Sequence, residues 1–254
     1  MRCLVFSDVH GNLEALDAVL EDAGRVDRYW CLGDLVGYGP DPNACIEKIR
    51  ELPTLLCVAG NHDWLALGKV DLREFGPDLR RASLWTQGQL TPENRDYLAG
   101  LPERLVEDQF TLVHGSPRDP IWEYVVSLPV ADASLRHFTT LYCLVGHTHL
   151  PARFAQRREG CQRLETTPGR SFTLCPAREI VNPGSVGQPR DKDTRASYAL
   201  LDTETLTVEY RRVDYCFDTT TKKMQQAGIL AYWPTQREPG LGDWGINQKN
   251  PPIP

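Results

Sequence analysis

Three times within the first sixty residues, an apolar run of strand length ends in a short polar cluster and is followed by a segment of helical pattern. Residues 2–7 lead into Asp8-Val9-His10, residues 29–32 into Gly33-Asp34, and residues 54–59 into Gly60-Asn61-His62-Asp63. After the first cluster, Leu13, Leu16, Val19, Leu20 and Ala23 recur close to a helical period, with Gly24 as the stop. After the second, Asp41 is placed to cap a helix running through Leu52, with Pro42 in its first turn. Strands joined by such helices pair in parallel through crossovers, so each cluster falls at a strand's carboxyl end. That is the edge where open α/β sheets bind ligands.

Residues 64–101 read as a mostly helical insertion flanking that edge, its last piece opened by Thr91-Pro92-Glu93. Beyond it the pattern changes to strands at 109–113, 141–145, 153–156, 171–175 and 180–181, then a hairpin of 197–201 and 207–212 across a turn at 202–205. These later strands imply a second sheet. The expected domain spans 1–230. The proline- and glycine-rich stretch 231–254 has no periodicity and is assigned as an irregular C-terminal arm.

Two further clusters follow the later strands, Val113-His114-Gly115 and Gly146-His147-Thr148-His149, so that five of the six histidines lie in the five clusters. Histidine is the commonest metal ligand, and its concentration at strand ends points to metal binding. Asp8 and His10, two apart on extended chain, share one face and can hold one ion. Asp34 can bridge two ions through its two oxygens; Asn61, His114 and His147 complete the second shell, and His149 falls back to the first. A donor set of carboxylate, amide and imidazole without thiolate suits Mn²⁺, Fe²⁺, Zn²⁺ or Ni²⁺.

Two divalent ions against two aspartates and a bridging hydroxide leave the centre positive, so it favours an anionic phosphate. Paired ions can also lower the pKa of bound water and clamp phosphoryl oxygens, so the hydroxide can serve as nucleophile. His62, next to Asn61 on a tight turn, points away from that ion and suits the role of general acid. The two cations would lower its pKa, and Asp63 or a backbone carbonyl would raise it.

The net charge of −6 and the lack of a basic stripe exclude general duplex nucleic-acid binding and argue against a nuclease. With 41% apolar residues a full core is available. The short apolar start before Ser7-Asp8 is too small for a signal segment and no run approaches a membrane span, which leads to the expectation of a cytoplasmic protein that binds no membrane. The eight cysteines contain no Cys-x-x-Cys pair and read as reduced, buried, small hydrophobes.

In this order the clusters resemble the calcineurin-like metallophosphoesterase superfamily, whose pattern is Asp-x-His, Gly-Asp, Gly-Asn-His-(Asp/Glu), His and Gly-His-x-His. The resemblance implies a single-domain four-layer α/β/β/α sandwich with two central mixed sheets. It also implies one metal on Asp8, His10, Asp34 and His149, another on Asp34, Asn61, His114 and His147, and His62 as the acid. Protein Ser/Thr phosphatases place an aspartate three residues after the bridging one, where this chain has Gly37. Together with Asn182-Pro183-Gly184-Ser185-Val186-Gly187-Gln188-Pro189-Arg190, this resembles instead the small prokaryotic branch of phosphodiesterases and diadenosine-tetraphosphatase-like hydrolases. The implied activity is hydrolysis of a small phosphate ester or nucleotide; the alternative is a non-catalytic protein-interaction scaffold on the same fold. Arg190 is placed either to hold a distal phosphate or as a solvated surface residue. Tyr38, Trp122 and Tyr124 could stack on a base or simply pack the loops. His137, the histidine outside the clusters, reads as structural.

Overall fold

A computed structural model describes residues 1–229. In chain order its elements are β1 (Arg2–Phe6), α1 (Leu13–Ala23), β2 (Arg28–Cys31), α2 (Pro42–Arg50), β3 (Leu55–Cys57), α3 (Asn61–Leu67), a 3-10 turn at Leu72–Glu74, α4 (Pro77–Gln89) and α5 (Pro92–Ala99). Then follow β4 (Arg104–Glu107), β5 (Phe110–Val113), α6 (Leu128–Ser134), β6 (Tyr142–Leu144), β7 (Ala152–Arg157), β8 (Gly160–Leu164), β9 (Ser171–Thr173), β10 (Glu179–Asn182), β11 (Ala196–Asp202), β12 (Thr207–Val213) and α7 (Phe217–Gln226). The arm expected over 231–254 lies outside the described residues.

The strands form two six-stranded mixed sheets, ordered β3-β2-β1-β11-β12-β9 and β4-β5-β6-β10-β7-β8. In each, three adjacent strands run parallel, β1, β2 and β3 in the first and β5, β6 and β10 in the second. The later strands do not all join the second sheet. β11 pairs antiparallel with β1, and β12 and β9 extend the first sheet beyond it. The hairpin expected at 202–205 forms, with the Asp202 carboxylate accepting from the N–H groups of Glu204 and Thr205 at 2.9 and 2.8 Å.

Alternation along β1 explains the layering. Cys3 and Val5 face the second sheet and pack with Trp30, Phe110, Leu112, Tyr142, Leu144 and Val181, whereas Leu4 and Phe6 face Leu16, Val19, Ile46 and Ile49 of α1 and α2. The outer face of the second sheet is covered by α6 and the turn after it through Ala131, Leu135 and Phe138. The result is the four-layer α/β/β/α sandwich.

α1 is capped as its sequence suggests, with the Asn12 amide oxygen accepting from Ala15 N–H at 3.2 Å. Asp41 is not spent this way; it sits at the cap position of α2 without a capping bond and instead pairs with Lys223 of α7 at 2.9 Å. β4 and β8 are half-exposed edge strands with little apolar signal, and α7 shows only Thr220 and Met224 to the interior. Among the cysteines, Cys3, Cys31, Cys45, Cys57 and Cys143 are buried as expected, but Cys161 and Cys175 are half-buried and Cys216 is exposed; all are free thiols. Cys161 on the edge strand β8, Cys175 just beyond β9 and Cys216 at the start of α7 are not carried into the core. His137 is exposed, its Nδ1 bonded to Ala133 O at 2.9 Å on the end of α6.

Arg153 on β7 donates to Glu179 on the adjacent β10 at 2.6 Å and to Thr173 O on β9 at 3.1 Å, so a buried ion pair within the second sheet is tied to the first through the Arg153–Thr173 bond. Glu179→Ala leaves the guanidinium buried without its partner and is expected to lower unfolding free energy by about 3–5 kcal/mol. Adding Arg153→Met is expected to recover part of that loss. Urea denaturation of both variants checks the order.

Candidate metal centre and active site

All six parallel strands end at one rim, which both sheets share. Beyond β1 the chain carries Asp8 and His10; beyond β2, Asp34; beyond β3, Asn61 and His62; beyond β5, His114; beyond β6, His147 and His149. β10 runs into the loop at 183–190 that closes the rim: Ser185 Oγ donates to Asp8 O at 2.9 Å, and Gly187 N–H donates to the same carbonyl at 2.9 Å.

Asp8 and His10 come together, but not as neighbours on extended chain. Asp8, His10, Asp34, Tyr38, His147 and His149 all have φ between +51° and +64°, the left-handed region that non-glycine residues rarely occupy. The chain is held there by cross-rim backbone bonds, Asp8 N–H to Gly33 O at 3.0 Å and His10 N–H to Asp34 O at 3.0 Å among them. Such strain persists only where surrounding structure overdetermines it, and it is characteristic of functional sites.

Each imidazole is oriented by a carbonyl at its far nitrogen. His10 Nδ1 lies 3.2 Å from Val36 O, His149 Nδ1 2.6 Å from Gln188 O, His114 Nδ1 2.7 Å from Leu32 O, and His147 Nε2 3.1 Å from Trp122 O. A ring that donates to these carbonyls presents a lone pair at its other nitrogen. Those nitrogens then face other acceptors: His10 Nε2 is 3.0 Å from His149 Nε2, and His114 Nε2 is 3.0 Å from Asn61 Oδ1, 3.2 Å from His147 Nδ1 and 3.3 Å from Asp34 Oδ2. Asp8 Oδ1 and Asp34 Oδ2 are buried without a hydrogen-bond partner. Opposed lone pairs and orphaned carboxylate oxygens in buried space are what cation binding satisfies. Two donor groups result, Asp8, His10, Asp34 and His149, and Asp34, His114 and His147.

Burial lowers His10, His147 and His149 into the neutral form that ligates metals. His114 differs: burial would lower it too, yet the adjacent Asp34 carboxylate, with Asp8 behind, raises it to about 9. Burial works to raise Asp8 and Asp34, but the surrounding imidazoles hold both below the usual carboxylate range.

His62 sits in the first turn of α3, its N–H donating to Asp34 Oδ1 at 2.8 Å. Its ring packs 4.5 Å from Tyr38 and 4.8 Å from His10, and its pKa is lowered to about 4, mainly by burial, with Asp34 opposing and Arg190 adding to the fall. Asp63 does not pair with it. Its carboxylate accepts from the N–H groups of Gly60, Asp34, Leu35 and Val36 at 2.9–3.3 Å and so fastens the Asp34 loop to α3. Burial and the charge of Asp34 push Asp63 up to about 7. Gly37 has φ +93°, and a Cβ there would lie 2.6 Å from His62 Nδ1. An aspartate at this position is sterically excluded unless His62 moves.

Tyr38, Tyr124 and Arg190 also reach the site. Tyr124 stacks on His147 at 3.7 Å and 15°, and Tyr38 meets His10 edge-on at 5.2 Å. Both hydroxyls interact with the Arg190 side chain, while burial raises Tyr38 to about 12 and Tyr124 in the same direction. Trp122 stacks on Phe75 at 5.8 Å, outside this group. Sequence reasoning missed Asn182, whose amide donates to Gly146 O at 2.7 Å and Thr148 Oγ1 at 3.0 Å and shapes the His147–His149 turn. It also missed α7, where Met224, with Ile229 just beyond the helix, packs against Tyr38 and Thr220 Oγ1 donates to Asn12 Oδ1 at 3.1 Å. The Asn-Pro-Gly-Ser run was a signal for the first; the polar α7 carries none.

Residues 1–206 match the family model of the calcineurin-like phosphoesterase superfamily domain. The chain belongs to this superfamily. This metal-dependent phosphoesterase superposes on a metallophosphoesterase of Sphaerobacter thermophilus with TM-score 0.84 and 44% identity, over 91% of this chain and 97% of that one. A protein of Methanocaldococcus jannaschii described as uncharacterised is 39% identical over 218 residues, 83% of this chain and 86% of its own length. A symmetrical bis(5'-nucleosyl)-tetraphosphatase of Pseudomonas entomophila is 40% identical over 70 residues, 25% of this phosphoesterase and 24% of that protein. No helix among the described residues is long and apolar enough to cross a membrane.

An imidazole that ligates a metal does so neutral, so if His114 is a ligand, uptake of Mn²⁺ by the metal-stripped phosphoesterase is expected to release roughly one proton at about pH 7.5 and less at about pH 9.5. Calorimetry in buffers of different ionisation enthalpy measures this. Release that stays constant across the range would contradict the raised His114.

Proposed function

We propose that the protein hydrolyses a small phosphodiester or nucleotide phosphoester with two divalent ions. One is held by Asp8, His10, Asp34 and His149, the other by Asp34, Asn61, His114 and His147. The observation that carries this reading is the convergence of two buried donor sets on the unpartnered Asp34 Oδ2. When bound, the ions supply an activated water nucleophile and Lewis-acid neutralisation of the phosphoryl charge. The donor chemistry admits manganese, iron, zinc or nickel.

The chain's own groups complete the reaction. Asp34 occupies the shared corner of both donor sets, and the carbonyls of Val36, Gln188, Leu32 and Trp122 keep the imidazoles from turning. His62, beside the centre with no assigned ligand role, donates a proton to the departing oxygen. Burial keeps it neutral in the free protein, and an anionic substrate next to it opposes that effect and promotes its protonation in the complex. The local likeness to a symmetrical bis(5'-nucleosyl)-tetraphosphatase supports nucleotides as substrates.

A panel of Mn²⁺-, Ni²⁺-, Fe²⁺- and Zn²⁺-loaded protein against bis-p-nitrophenyl phosphate, p-nitrophenyl phosphate and dinucleoside polyphosphates tests the reading; no turnover with any pair would end it. His62→Asn is expected to retain its metals but lose about 10²–10⁴-fold on esters with poor leaving groups, and much less on nitrophenyl esters. Gly37→Ala, which drives a methyl into His62, is expected to give the same leaving-group dependence with unchanged metal content. Mass spectrometry of bound metal and steady-state rates on alkyl and aryl esters distinguish these effects from lost ligation.

A further inference from the structure

The charge of the Arg190 side chain acts on His10, His62, His149, Tyr38 and Tyr124 together. Its guanidinium donates to the neutral Gln188 Oε1 at 2.8 Å, and among the described residues it has no carboxylate ion-pair partner. The acids next to it in sequence are engaged elsewhere, Asp191 with Arg212 and Asp193 with Arg195. The backbone under it is immobilised as well, since Gln188 O is bonded to His149 Nδ1 and Gln188 N–H donates to Ser185 Oγ at 2.8 Å. Tyr124 is covered on one side by the stacked His147 ring, and Tyr38 lies among His10, His62 and Met224. Both phenols are therefore placed to steady Arg190 rather than offered as an open stacking platform for a base.

A planar, permanently charged group held by neutral partners is suited to bind an anion, as is the metal-loaded centre beside it. The charge of Arg190 acts on His62, the group assigned to the departing oxygen, which puts that anion on the leaving-group side. We propose that Arg190, held by Gln188, Tyr38 and Tyr124, forms a second anion subsite for a phosphate one link beyond the phosphorus that is attacked. The preferred substrates are then oligophosphate chains whose leaving group is itself a phosphate. This rests on the hydrolase reading above for the position of the attacked phosphorus. In the step, a P–O bond forms to the oxygen of water and the P–O bond to the bridging oxygen breaks. The bridging oxygen leaves with the bonding electron pair and takes the proton from His62, while the protons lost by water pass to solvent.

The test uses the full-length, Mn²⁺-loaded protein and two probes that cannot be hydrolysed, methylenebisphosphonate and methylphosphonate, titrated calorimetrically into wild type, Arg190→Met and Arg190→Lys. Arg190→Met is expected to weaken the bisphosphonate about 30-fold and the monophosphonate no more than about 3-fold, with bound metal unchanged. Arg190→Lys, which keeps the charge but not the fork, is expected to fall between. Equal weakening of both probes would mean that Arg190 grips the attacked phosphoryl group itself, and no weakening of either would leave it without an anion; each overturns the subsite. Rates on a dinucleoside tetraphosphate and on bis-p-nitrophenyl phosphate are measured in parallel. If wild type hydrolyses neither, the hydrolase reading fails, while the probe titrations still decide whether Arg190 binds a second phosphate.

Discussion

Buried lone pairs facing one another are the constraint around which this molecule is built. The neutral imidazoles of His10, His147 and His149, an amide oxygen and carboxylate oxygens of Asp8 and Asp34 meet at one rim beside a His114 drawn to Asp34, and the opposed lone pairs would separate if their supports allowed it. The supports do not allow it. Four carbonyl groups from three separate segments fix the ring orientations, and the backbone carrying most of these residues is held in left-handed conformations that cost roughly 1–3 kcal/mol each. The two-sheet core and the buried Arg153–Glu179 pair supply the rigidity that keeps this strained rim together.

The same constraint explains why apparently secondary residues recur at close approaches. Gly60 has no side chain because a Cβ would overlap the Asp34 carboxylate, and Gly37 has none because His62 occupies that space. The departure from the Ser/Thr phosphatase pattern at position 37 is therefore a packing requirement of this rim. Asp63 belongs with them: it looks in sequence like a partner for His62, and in three dimensions it binds four backbone N–H groups that shape the loop carrying Asp34.

Legibility in the sequence differed by element. β1, β2 and β3 with α1 and α2 were readable because apolar periodicity there is local and bounded by clear stops. β4 and β8 were not, since an edge strand with one wet face has weak alternation, and α7 was missed because two buried residues in a polar helix leave almost no pattern. The return of β11 to β1 was equally hidden: pairing partners nearly two hundred residues apart leave no local signal.

The sequence by itself determined the chemical inventory: five histidines, two aspartates and an asparagine in clusters after apolar runs, a donor set without thiolate, and an ordering shared with a phosphoesterase superfamily. Residue type and spacing suffice for that because ligand chemistry belongs to the side chain. Only the tertiary structure decided how Asp8 and His10 meet, through a left-handed turn rather than an extended strand, and which nitrogen of each ring is left for a metal. It also decided that Arg190 stands beside the centre with Tyr38 and Tyr124 around it, and that α7 packs behind Tyr38. These depend on backbone direction and on contacts between segments far apart in the chain, which only packing of the two sheets brings within reach.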